Sequence, residues 1–177
     1  MLIRNVHERL LLADPDAVGA LVDALGGESD VLWPSDRWPA LRLDRPLRAG
    51  AVGGHGRIRY AVVAHQPARS AVFRFRSPAG VVGVHRFEVE RRERVGTVLR
   101  HTLEAEVHGT TRLVWSLALR NLHDALIEDL LDRAELAVEG SVHSPARWSP
   151  YVRLLRRAGR ARPARPTGPA PGATMRP

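Results

Sequence analysis

Hydrophobic positions recur at two spacings along this chain, and the longest stretch at helical spacing begins near residue 110. Over residues 111 to 139, helical periodicity puts Leu119, Leu122, Leu126, Ile127, Leu130, Ala134 and Ala137 on one side, with Arg120, Asp124, Glu128, Asp132, Glu135 and Glu139 opposite. That pattern predicts one amphipathic helix of roughly 40 Å, with His123 inside the apolar stripe and Asp124 pointing away. Upstream the period is two. Residues 2 to 13 alternate as a strand, and Asp14-Pro15 then starts a short helix carrying Val18, Leu21, Val22 and Leu25, which Gly26-Gly27 ends. Pro34, Pro39 and Pro46 make the next stretch a structured connector. Two further strands place Ile58, Tyr60 and Val62 against Arg57 and Arg59, and Phe73 and Phe75 against Arg74 and Arg76.

The clearest hairpin joins residues 81–92 to 97–108. A turn centred on Val95, with Gly96 in the left-handed position, sets Arg86 opposite Glu104 and Glu90 opposite Arg100 on the outer face. The same register sets Phe87 opposite Leu103, Val89 opposite His101 and His85 opposite Ala105 on the inner face. Antiparallel strands with a single apolar face need a covering layer, and the long helix supplies it, so the expected fold class is α+β.

Composition alters this picture in three ways. Residues 1–140 hold 19 Arg and 19 acidic residues, and the remaining 37 residues hold 8 Arg and no acid, so the net charge of +8 belongs to the tail. A neutral body argues against a nucleic-acid-reading fold, although the tail is a candidate for non-specific contact with anionic surfaces or nucleic acid. With no cysteine there is no disulfide, thiolate chemistry or Cys-based metal site, and with no lysine there is no lysine Schiff base. No stretch reads as a signal peptide or a membrane span, so a cytoplasmic location is expected. Residues 1–140 are expected to form one domain, and residues 141–177 a basic Pro/Ala/Arg-rich tail, mostly disordered from about residue 159, with a brief amphipathic piece near Tyr151, Leu154 and Leu155.

The inward polar residues are the candidate chemistry. Tyr60, His85, His101 and His123 fall among Ile58, Phe73, Phe75, Phe87, Leu103 and Leu126, with His55 at a glycine-rich rim and Trp38 on a stiffened Trp-Pro segment that either covers the end of the core or lines a pocket mouth. A buried neutral imidazole both donates and accepts, and desolvation suits it to act as a base near neutrality, with Tyr60 or a second histidine steadying an enolate oxygen. Three inward histidines have the ligand count of catalytic zinc. They lack His-x-x-x-His spacing and lie on separate elements, so no metal and no cofactor are expected. Gly50, Gly53, Gly54 and Gly56 lack the Lys-Ser/Thr and the helix start of a phosphate cradle. Glu88, Glu90, Glu104 and Glu106 all fall on the outer face. Neither G-x-S-x-G nor H-E-x-x-H occurs.

Asp36-Arg37-Trp38-Pro39 is similar to the Asp- and Trp-Pro-containing segment that follows the first helix in the START-like (SRPBCC, polyketide cyclase/dehydrase) superfamily, with Ala40-Leu41 where a second Trp often stands. Residues 53–60 (GGHGRIRY), 100–104 (RHTLE) and 122–132 (LHDALIEDLLD) resemble an uncharacterised bacterial group of that superfamily. The resemblance covers about residues 1–140. It implies a helix-grip fold, in which a curved antiparallel sheet wraps a long C-terminal helix, and a small apolar or aromatic ligand held between them by Trp38, His55, Tyr60, Phe73, Phe75, His85, Phe87, His101, Leu103, His123 and Leu126. The same fold hosts carriers, cyclases and ligand sensors. The alternative is therefore an enzyme in which His123, His101, His85 and Tyr60 are catalytic. Nothing in the pattern fixes the oligomeric state.

Overall fold

In the computed structural model, which describes residues 1–160, the chain runs β1 (Leu2–Leu11), α1 (Pro15–Asp23), β2 (Arg42–Leu43), β3 (Val52–His55), β4 (Ile58–Gln66), β5 (Ser70–Ser77), β6 (Val81–Arg92) and β7 (Gly96–Val107). Three helices complete it: α2 (Gly109–Val114), α3 (Arg120–Glu139) and α4 (Pro150–Arg160), with a π-helical turn (Trp115–Leu119) joining α2 to α3. The strands form one antiparallel sheet in the order β1-β7-β6-β5-β4-β3-β2. The long helix packs against it, as the periodicities require. Asp14 caps α1 by accepting from the Asp16 amide 3.0 Å away. The glycines before β4 permit a close approach: a Cβ at Gly53 would collide with the Arg42 carbonyl oxygen of β2.

The core is layered. Val18 and Val22 of α1, with Leu25 in the turn after it, plug one end, Val62, Phe73, Phe87 and Leu99 supply the sheet side, and Leu126, Ile127, Leu130 and Ala134 come down from α3. Trp33 and Trp38 are buried, so the Trp-Pro segments do close one end of this core.

The β6–β7 register differs from expectation by two residues. Arg92 pairs with Gly96, which places Phe87 opposite His101 and His85 opposite Leu103. The cause is the turn: Gly96 has the expected positive φ (140°) but already pairs with Arg92, and Arg94 is left-handed too (φ 63°), so the loop is Glu93-Arg94-Val95. Because the slip is even, every side chain stays on its expected face. The two expected ion pairs survive as diagonal contacts, Arg86 to Glu104 at 3.1 Å and Arg100 to Glu90 at 3.4 Å.

A second difference concerns the acidic side of α3, which was expected to face away. Asp124, Glu128, Asp132 and Glu135 instead lie along the edge strand β1, where strand alternation points Asn5, His7 and Arg9 at them. Glu139 accepts from the Leu12 amide at 2.8 Å. A polar inner face on β1 needs polar cover, and α3 carries its acids at the spacing that provides it. Third, residues 141–160 do not simply leave the body. Trp148 and α4 pack back on it, with Val152 buried and the Arg156 guanidinium 4.3 Å from the centre of the Trp38 ring. Most of the expected disordered tail lies outside the described residues.

Candidate functional site

Strand alternation brings the inward rings into one continuous row. His85 on β6 stacks on Phe73 of β5, with centroids 4.9 Å apart and planes 12° from parallel, and its Nδ1 is 3.3 Å from Nε2 of His101 on β7. His101 packs on Phe87 and, 5.2 Å away, on His123 of α3. In the other direction Tyr60 lies 4.5 Å from His85 and shares a 2.9 Å hydrogen bond with His55 Nε2, while the His55 ring meets Trp33 at 4.7 Å. Phe75 flanks both Tyr60 and His85. The imidazoles of two neighbouring strands and the last long helix therefore meet, as the pattern requires, and Leu103 and Leu126 are buried on β7 and α3.

Trp38 sits apart from the row. Its indole donates to Asp129 Oδ2 at 2.7 Å, Trp148 donates to the same oxygen at 2.9 Å, and Arg37 donates to Oδ1 at 2.7 Å. This buried carboxylate ties the connector, α3 and the segment before α4 together.

Electrostatics divide the histidines into two groups. Burial, reinforced by the other imidazoles, pushes His85 and His101 well below the usual histidine range. Burial also lowers His123, although Asp124 opposes it, and burial with His123 and Arg59 nearby takes His55 down to about 4. Burial pushes the Tyr60 phenol up. At neutral pH the row is therefore uncharged. Within it, His85 Nε2, His101 Nδ1 and His123 Nδ1 are closed to solvent and have no hydrogen-bond partner.

His7, absent from the sequence-based set, belongs to the second group. Its burial would depress it, yet hydrogen bonds with Asp124 and Glu128 overcome that and raise it to about 9. Nδ1 is 2.7 Å from Glu128 and Nε2 is 3.2 Å from Asp124. A signal for it existed: His7 shares its parity on β1 with buried Leu11. Close by, a cleft of about 310 Å³ is lined by Met1, Ile3, Asn5, Trp115, Ser116 and Arg120, among others. A second cleft, of about 400 Å³, lies between the β6–β7 turn and the segment joining β1 to α1. Neither is lined by the row of rings.

No protein-family model matches the sequence, and no curated protein matches it. Solved structures do. The didomain aromatase/cyclase StfQ of the steffimycin biosynthetic pathway is similar with a TM-score of 0.59 at 14% identity, over 79% of this chain and 51% of that one. This chain thus spans about half the length of that protein. Norcoclaurine synthase of Thalictrum flavum, a point mutant bound to a transition-state analogue, gives 0.60 at 12% identity, over 79% of this chain and 96% of that one. A conserved protein of unknown function from Enterococcus faecalis gives 0.57 at 11%, over 89% and 82%. At such identities the likeness is one of architecture, and it agrees with the sheet and helix above: the chain has the helix-grip fold. No described helix is long and apolar enough to cross a membrane.

Proposed function

We propose that the protein binds a small, largely apolar ligand between the sheet and α3, with the row of imidazoles fixing the ligand's polar end. The observation that carries this reading is the set of three solvent-excluded ring nitrogens without partners, on His85, His101 and His123. Each such atom costs about 1–3 kcal/mol if nothing meets it, which is a strong reason for a complementary guest. Phe73, Phe75 and Phe87 around them favour a planar ring as that guest. Helix-grip neighbours that include an aromatase/cyclase and a norcoclaurine synthase support the same kind of use.

The test has two arms. Native mass spectrometry of protein purified from its own cell should find a retained organic molecule. In parallel, 2-naphthol, a planar apolar ring with one hydroxyl, should bind saturably at one site and lose affinity at least tenfold in His101→Leu. Empty protein together with binding that ignores this substitution would remove the proposal.

The second reading is a cyclase/dehydrase-type enzyme, favoured by the neutrality of the row. A buried His123 or His101 is unprotonated and ready to take a proton alpha to a carbonyl, with Tyr60 and His85 as the neighbouring donors. The readings separate on His123→Ala: an enzyme loses turnover with binding nearly intact, whereas a carrier loses some binding and has no turnover to lose.

A further inference from the structure

At the edge where β1 meets α3, Asn5, His7, His123 and Asp124 form a polar cluster that touches the row of rings only through His123. One nitrogen of each histidine and one oxygen of Asp124 lie within 4.8 Å of one another. Asp124 Oδ1 is the hub, 3.2 Å from His7 Nε2 and 3.7 Å from His123 Nδ1. A tetrahedral ion with bonds of about 2.0–2.2 Å holds its donor atoms about 3.4 Å apart, and the two measured edges bracket that length. The longer edge exceeds a hydrogen bond. His123 Nδ1, closed to solvent and otherwise unpartnered, therefore faces the carboxylate without any bond to it.

The surrounding groups are those that orient metal ligands. A metal-bound imidazole usually gives its second N–H to a carboxylate, and His7 Nδ1 stands 2.7 Å from Glu128 Oε1. Arg9 holds the other Glu128 oxygen at 3.3 Å, and the Asn5 amide donates to Asp124 Oδ1 at 2.9 Å, fixing the carboxylate in turn. We propose that His7 Nε2, His123 Nδ1 and Asp124 Oδ1 bind one divalent first-row transition-metal ion, zinc or iron(II), leaving a further coordination position to water. The sequence pattern did not reveal this site because its three ligands come from two elements far apart in the chain: parity turns His7 inward, but its partners appear only when β1 is laid beside α3. His123 is shared with the row, but His7 and Asp124 lie outside it, so zinc binding is tested apart from the ligand reading, whose own test is His101→Leu.

Among the described residues one other group has the composition of a metal site: Glu135, Glu139 and His143. Its histidine side chain is 70% exposed, and Glu135 is already occupied by Arg9 and by the His143 backbone amide. It serves as the control.

The experiment uses the full chain stripped with a chelator and titrated with zinc chloride, and with cobalt(II) for its visible spectrum. One zinc per chain in native mass spectrometry, a raised thermal midpoint and a cobalt absorption band are expected. His123→Leu removes an unpartnered buried nitrogen, so the metal-free midpoint should hold or rise, while zinc affinity falls at least 100-fold and the zinc-induced shift disappears. Glu128→Gln should weaken zinc 10- to 100-fold, and His143→Gln should leave it unchanged. If His123→Leu does not fold, Asp124→Asn reads out the same loss. Absence of stoichiometric zinc overturns the proposal, as does zinc retained undiminished in these variants or lost only in His143→Gln.

Discussion

His55 shows how a single side chain can set a response of the whole protein. Its imidazole shares a hydrogen bond with Tyr60, packs on Trp33, and is taken by burial down to about 4. A histidine depressed in the folded state favours folding only while it is neutral. That contribution is complete above the unfolded value of 6.5, declines as pH falls below it, and is gone once pH passes about 4. The span corresponds to stability on the order of 3 kcal/mol. Urea denaturation at pH 7 and pH 4 should show the parent protein losing about that much more than His55→Gln, which keeps a hydrogen-bonding group but does not titrate. Equal losses would contradict the assignment. At this scale the sequence was informative wherever a residue's fate depends on parity alone. Tyr60, His85, His101 and His123 all face inward as strand and helix periodicity demand. It was uninformative where a residue's partner comes from elsewhere: Asp129 reads as an ordinary helix acid until Trp38, Trp148 and Arg37 are found on it.

Among the elements, the β6–β7 hairpin shows where pattern and geometry part. Alternation determines which face each residue takes, but turn chemistry determines which residues meet, and the two need not agree on register. Gly96 does take a positive φ, but it is already in the ladder opposite Arg92, and Arg94 at φ 63° makes the turn. A non-glycine there is strained, so Arg94→Gly should raise stability by about 1 kcal/mol, measurable as a higher thermal midpoint, with no change in ligand or metal affinity. The long helix offers the companion case. Its apolar stripe was legible and correctly assigned to the sheet, with Leu126, Ile127 and Leu130 buried. Its acidic stripe was legible too, but solvent is only the default partner for such a stripe. The edge strand with Asn5, His7 and Arg9 inward took solvent's place.

At the scale of the whole molecule, the basic C-terminal region carries the net charge. The described part of it is anchored: Trp148 donates to Asp129, Arg156 lies over Trp38, and the Tyr151 hydroxyl donates to the Leu117 carbonyl at 2.5 Å. Ending the chain at residue 144 removes these contacts and leaves Trp38 and Asp129 partly uncovered. A loss of about 2–3 kcal/mol in chemical denaturation is expected. Binding to heparin, a polyanion, should weaken in the same truncation, and the remaining affinity should depend less steeply on salt. An unchanged midpoint with lost heparin binding would mean that the region acts only through charge. The helix-grip order of elements was legible over residues 1–140, because each strand and helix carries its own period. The packing of α4 was not, because one short amphipathic turn among prolines and arginines gives no sign of the surface that will receive it.

The π-helical turn at Trp115–Leu119, where the Arg120 amide reaches back to the Trp115 carbonyl, has a consequence for the helix that contains it. An extra residue in one turn advances everything before it by roughly 100° around the axis. Leu113, Val114 and Leu117 are accordingly turned toward water, while α3 below stays clamped by β1, the sheet and Asp129. Tightening that wide turn to ordinary pitch would swing the upper segment like a key in a lock. Trp115 and Ser116 would move relative to Asn5, and the cleft they share would change shape without loosening a single contact in the lower grip.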